Sequence, residues 1–289
     1  MMSEHLLPRV LAVILAAGSL ARAATFDEAQ ALYRTKRYAE ARQVFEQVAA
    51  AEPGNAAAAY HLGQLALMRN DEAEAIRWLE RATALTPQSA PYFQALGDAY
   101  GLAAQKAGLF SKPGLARKCR LAYEKAVALE PDNISARYAL FTFYRQAPGI
   151  AGGGLEKART QAEEIRKRDP VRGTIALAEV NVIEKKYDDA FVALADLRRR
   201  HPEAWDAAYQ FGRAAAMSGQ RLDEGAAALN EYLAHTPDED QAPLWAAHWR
   251  LGVIFEKKGN LPAARAEYAA ALRLNPTQPQ LLEAMERVK

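Results

Sequence analysis

The chain has 289 residues, half of them apolar and a quarter charged, which are the proportions of a folded globular chain and not of a disordered or fibrous one. Its 37 Lys+Arg against 35 Asp+Glu leave a net charge of +2, so no basic excess argues for a nucleic-acid partner. A single cysteine, Cys119, excludes an intramolecular disulfide framework and a cysteine-rich zinc site.

The first element read along the chain is an address. Arg9 closes a short n-region, Val10 to Gly18 form an apolar core, and Ala21-Arg22-Ala23 places small residues where a signal peptidase reads. The pattern predicts a signal peptide over 1–23, cleaved after Ala23, and a periplasmic or secreted mature chain over 24–289. The apolar run is too short for a membrane-spanning helix, and no later segment reaches that length. No transmembrane segment is therefore expected after cleavage.

From there one pattern recurs: a small residue, a second apolar one four positions later, and a proline twelve after the first. Ala41, Phe45 and Pro53 fit it. So do Ala75, Leu79, Pro87; Cys119, Tyr123, Pro131; Ala158, Ala162, Pro170; Ala190, Leu194, Pro202; Gly225, Leu229, Pro237; and Ala264, Tyr268, Pro276. The intervals between the prolines are 34, 44, 39, 32, 35 and 39 residues, so the length variation lies outside the second half of each unit. The first halves share another register, in Leu62-Gly63, Leu96-Gly97-x-x-Tyr100, Phe211-Gly212 and Leu251-Gly252-x-x-Phe255; units four and five lack this pair. Each unit is predicted to be two antiparallel helices, A and B. Small residues sit where the helices cross, large ones fill the space beside them, and the prolines end helix B. Arg69-Asn70-Asp71, Lys185-Lys186-Tyr187 and Lys258-Gly259-Asn260 read as turns between the two. Leu281 to Lys289 should cap the open end. No strand signal is present.

Together these motifs resemble the tetratricopeptide repeat, with its W-x2-L-G-x2-Y, A-x3-F and P positions over 34 residues. The resemblance covers about 25–276. It implies an all-α superhelical solenoid of about seven helix-turn-helix repeats with a C-terminal capping helix, because one pair cannot bury its apolar face alone. It also implies that helix A lines a concave groove with its fifth, ninth and twelfth positions. Those are Tyr60, Gln94, Tyr138, Tyr209 and Trp249 at five; Gln64, Asp98, Thr142, Arg213 and Val253 at nine; and Arg145 and Glu256 at twelve. Tyr60, Gln64, Tyr138, Arg145, Tyr209, Arg213 and Trp249 are the candidate partner-binding residues. Aromatic groups of this kind give large contact area at low entropic cost. Family members that clamp a chaperone tail use Lys and Asn at positions five and nine, and this chain lacks them.

Two units break the period. Ten extra residues fall in unit three, around 108–118, and five in unit four, at 148–154. Both should form loops on one edge, and Lys106, Lys112, Arg117, Lys118 and Arg120 face no acid between 99 and 123, which reads as solvated lysines on a lengthened turn or, alternatively, as an anionic contact. Gly149-x-x-Gly152-Gly153-Gly154 lacks the Lys-Ser/Thr of a phosphate loop and reads as a turn. The histidines His61, His201, His235 and His248 belong to different units, and Asp238-Glu239-Asp240 is too small a set for calcium. Cys119 stands at a repeat alanine, which predicts an inert buried thiol. No catalytic motif, metal site or cofactor site is legible. The expected function is that of a non-enzymatic adaptor of the bacterial envelope binding a peptide or protein segment in the groove. The alternative is a glycan- or small-molecule-binding accessory subunit of an envelope enzyme complex.

Overall fold

A computed structural model describes residues 25–238 and 241–288; the expected signal segment lies outside them, as do Glu239 and Asp240 of the acidic loop. Among the described residues there are fifteen α-helices and no strand. The A/B pairs are α1 (Phe26–Arg34) with α2 (Tyr38–Ala51), α3 (Ala56–Met68) with α4 (Glu72–Leu85), and α5 (Ala90–Lys106) with α6 (Lys112–Leu129). They continue as α7 (Ile134–Gln146) with α8 (Leu155–Arg168), α9 (Pro170–Ile183) with α10 (Tyr187–Arg200), α11 (Trp205–Ser218) with α12 (Leu222–Leu233), and α13 (Leu244–Lys257) with α14 (Leu261–Leu274). The amphipathic α15 (Pro279–Arg287) closes the end, burying Leu281 and Ala284. No described helix is long and apolar enough to cross a membrane.

The repeat positions do the packing that their residue types allow. The small residues Ala41, Ala75, Ala158, Ala190 and Ala264 are fully buried at the crossings, and Phe45, Leu79, Leu194, Leu229 and Tyr268 are fully buried beside them. Each such large side chain stabilises by about 1.5–3 kcal/mol through the apolar area it takes out of water. The glycine of each Leu-Gly or Phe-Gly pair admits its partner from helix B. A Cβ on Gly63 would lie 2.5 Å from Leu79 Cγ, one on Gly97 2.5 Å from the Tyr123 ring, one on Gly212 2.2 Å from Leu229 Cγ and one on Gly252 2.4 Å from the Tyr268 ring. Helix starts are capped by the side chains that the sequence supplies: Thr25, Asn55, Asp71, Asn133, Asp169 and Asn260 accept from a backbone N–H three residues on.

Three expectations are corrected. The ten extra residues of unit three form little loop: α5 has 17 residues and α6 has 18, against 13 and 14 in α3 and α4. The insert is rich in Ala, Lys, Arg and Leu, which extend helices, and its proline sits in the first turn of α6, where a missing N–H costs nothing. The basic patch is largely neutralised. Lys106 Nζ lies 2.6 Å from Glu72, Lys118 Nζ 3.7 Å from Glu80 and Arg120 2.8 Å from Glu124, all acids outside the 99–123 window. Finally, Pro170 does not close helix B; it opens α9. Asp169 alone links α8 to α9, ending one helix and capping the next. The other inserted segment folds as a single 3-10 turn, Gly149–Ala151, followed by Gly152 in the left-handed region at φ 89°.

The N-terminal units carry a pH-sensitive contact. His61 stacks on Phe45 at 4.9 Å, its Nδ1 is buried without a hydrogen-bond partner, and burial lowers its pKa from the ordinary 6.5, with Gln64 opposing. A depressed folded pKa means that the unfolded chain takes up the proton first as pH falls. The contact is thus fully present above the unfolded value and weakens below it. The urea midpoint of the first two units, followed by hydrogen exchange, should fall between about pH 8 and about pH 5, and His61→Phe should flatten that step. An unchanged slope in the variant would assign it to other groups.

Candidate functional site

The A helices form the inner layer. Successive A helices approach closely along their backbones (α3 with α5, α5 with α7, α9 with α11, α11 with α13), whereas consecutive B helices meet through long side chains such as Arg42–Glu74 and Arg198–Glu231. A stack whose A helices lie closer together than its B helices curves with the A side inward. Side chains seven apart, such as Tyr138 and Arg145 on α7, share that inner face.

At its centre is a charged cluster built from α7, α9 and α11. Glu179 on α9 is almost wholly buried, its side chain 5% exposed, 2.9 Å from the Arg145 guanidinium on α7 and 4.0 Å from that of Arg213 on α11. Gln210 Nε2 donates to the Glu179 carboxylate at 3.2 Å, and Arg213 donates to Gln210 Oε1 at 3.1 Å. Burial pushes the Glu179 carboxyl up, while Arg145, Arg213 and the Tyr138 hydroxyl pull it back. Burial likewise lowers Arg213, and neighbouring Arg250 adds to this. The Nε–H of both Arg145 and Arg213 is buried without an acceptor. On α13, Arg250 extends the cluster: it donates to Tyr209 Oη at 3.0 Å, and its guanidinium lies 5.6 Å from the Tyr209 ring and 5.1 Å from the Trp249 ring. Two arginines therefore face one glutamate and a third, Arg250, stands beside Arg213, with Asp206 near enough to act on Tyr138 and Tyr232.

The candidate residues divide between this cluster and a second group. Tyr138, Arg145, Tyr209, Arg213 and Trp249 are gathered in or beside the cluster. Tyr60 and Gln64 stand apart on α3: Gln64 donates to Tyr60 Oη at 2.7 Å, and the Tyr60 ring stacks on Tyr92 at 4.7 Å. Tyr209 is only 7% exposed and packs on Tyr232 at 5.3 Å, so its ring belongs to the core and only its hydroxyl serves the groove. Asp98 and Glu256 are held by the large residues of their own units, accepting from Tyr123 Oη at 2.7 Å and Tyr268 Oη at 2.6 Å. Burial pushes the Cys119 thiol up to about 12, which keeps it protonated and poorly nucleophilic. Glu179, Gln210 and Arg250 escape the repeat register. One signal was available: Glu179 is the lone charge in the apolar run from Gly173 to Ile183.

An inner layer of A helices, glycine-mediated A/B crossings and a closing helix define the class: an all-α solenoid of tetratricopeptide type. The tetratricopeptide repeat model matches residues 10–56, 26–90 and 238–279. Among solved structures, a tetratricopeptide repeat protein from Parabacteroides merdae is similar at TM-score 0.72 and 14% identity, over 91% of this chain and 96% of that one. The APC/C hetero-tetramer Cut9–Hcn1 (TM-score 0.63, 14% identity, 90% of this chain and 48% of that one) and yeast Tom70 (0.62, 16%, 88% and 51%) are also similar. The chain spans about half the length of those two. No curated protein matches it in sequence.

Proposed function

We propose that the protein is a non-enzymatic adaptor that holds an extended protein segment along the inner face of the solenoid, with an acidic group of that segment at the Arg145–Arg213–Arg250 cluster. The observation that carries this reading is the excess of arginine over carboxylate at a partly buried site with unsatisfied N–H groups. Such a site favours an incoming anion that brings acceptors. Trp249 supplies an apolar platform beside it. One similar structure is of a hetero-tetramer, which accords with partner binding by this fold. We place the protein in the bacterial envelope, exported by the segment 1–23, which makes a mature chain beginning at Ala24 the expected form in the cell.

The test uses affinity capture from envelope extract, followed by titration of synthetic segments of the captured protein. Trp249→Ala with Arg250→Ala should weaken a bound acidic segment about tenfold or more, since such groups each carry 1 kcal/mol or more at interfaces. Val192→Ser, at an exposed position of α10, should leave it unchanged. Equal binding by the groove variant, at unchanged helicity, would remove the groove from the reading.

A further inference from the structure

The inserts of units three and four flank an open cleft of about 570 Å³ between α5, α6 and α7. The lengthened start of α6 lines one side and the loop from α7 to α8 the other; both are built from the residues that depart from the repeat. The volume is that of a small-molecule site. The walls are mostly apolar, with Pro113, Phe143, Leu109 and Ile150 among them, and the last two are 87% and 90% exposed. Bare apolar side chains at the mouth of an apolar cleft mark a place where something covers them. Among the lining residues Asp98 is the one carboxylate and Lys112, exposed at the start of α6, the one cation.

The chemistry of the walls narrows the ligand. Gln105, Thr142 and Gln146 add a few polar groups, but the walls are mostly apolar, which suits an apolar body better than a sugar. A purely apolar body would strip the remaining water from Asp98, whose carboxyl burial already pushes up and which Tyr123 Oη steadies from one side. A carboxylate ligand would meet it as a like charge. A cation removes the penalty by pairing with it.

We propose that this cleft binds a small amphiphilic amine, its apolar body against Leu109, Pro113, Phe143 and Ile150 and its ammonium at Asp98. The site is separate from the arginine cluster, and its occupancy does not depend on the peptide reading.

Calorimetric titration of the full chain with three probes of equal length, octylamine, 1-octanol and octanoate, tests it. Octylamine should bind about tenfold or more tighter than 1-octanol, the scale of a hydrogen bond to a charged group, with octanoate weakest. Asp98→Asn should abolish the advantage of octylamine and spare 1-octanol binding. Ala139→Trp, which fills the cleft, should abolish all three. Trp249→Ala with Arg250→Ala should change none, which separates failure here from failure of the groove. Octanoate binding as tightly as octylamine, an amine preference that survives Asp98→Asn, or no binding of any probe to the unaltered chain would each overturn the proposal. The unaltered chain decides the first and last of these, whatever the variants' folding.

Discussion

Glu179→Ala should lower the unfolding free energy by about 3–5 kcal/mol, among the largest losses any single substitution here would cause. Its cost is not the value of one ion pair. The substitution removes the carboxylate that faces both Arg145 and Arg213, and leaves two partly buried guanidiniums without their counter-charge, Arg213 keeping only the neutral acceptor Gln210 Oε1. Glu179→Gln should cost less, because an amide oxygen still accepts. Exchanging all three groups together, as Arg145→Met, Glu179→Leu and Arg213→Met, should leave stability unchanged or raise it, since desolvation opposes the charged forms of Glu179 and Arg213. Urea unfolding of the three proteins reads this directly. If the single variant is no weaker than the triple one, the cluster is hydrated and open. The expected order has a functional meaning: a charged group kept in the groove at no gain in stability is there for what it binds.

The second large effect is expected at Gly173. A Cβ there would lie 2.2 Å from Arg166 Cα and 2.3 Å from Arg166 N, backbone atoms of the preceding helix that no rotamer change can move. The one-residue link at Asp169 forces α8 and α9 into this approach. Gly173→Ala should cost about 3 kcal/mol, the upper range for overpacking, against a helix-propensity gain of about 1 kcal/mol. Gly63→Ala should cost less, because its obstacle is the Leu79 side chain, whose end can turn. Gly54→Ala, with nothing within 4 Å, is the control and should be near neutral. Urea midpoints that rank Gly63 above Gly173 would mean that α8 and α9 separate readily.

How the two inserts fold shows what the sequence left open. Their presence was legible from the interval between prolines. Their form was not, because a stretch such as Leu102-Ala-Ala-Gln-Lys106 extends a helix as readily as it begins a loop, and tertiary packing chooses. The neutralised lysines make the same point. A window along the chain sees only neighbours in sequence, but Glu72 and Glu80 reach Lys106 and Lys118 across the A/B and unit-to-unit contacts. The Pro170 correction is of another kind. A proline twelve residues past the small residue fits both the end of one helix and the first turn of the next, and only the length of the link decides.

The sequence by itself determined the seven-fold pairing of helices, the crossing residues Ala75 and Gly63, and the large residues they admit. Those rest on local periodicity and on the volume of single side chains, both readable in order along the chain. Only the tertiary structure decided that Glu179 sits between Arg145 and Arg213, that Tyr209 turns its ring into the core, and that two inserts flank a cleft beside Asp98. Those depend on which faces of non-adjacent helices meet and how far water is excluded there, and neither is fixed until the stack has closed.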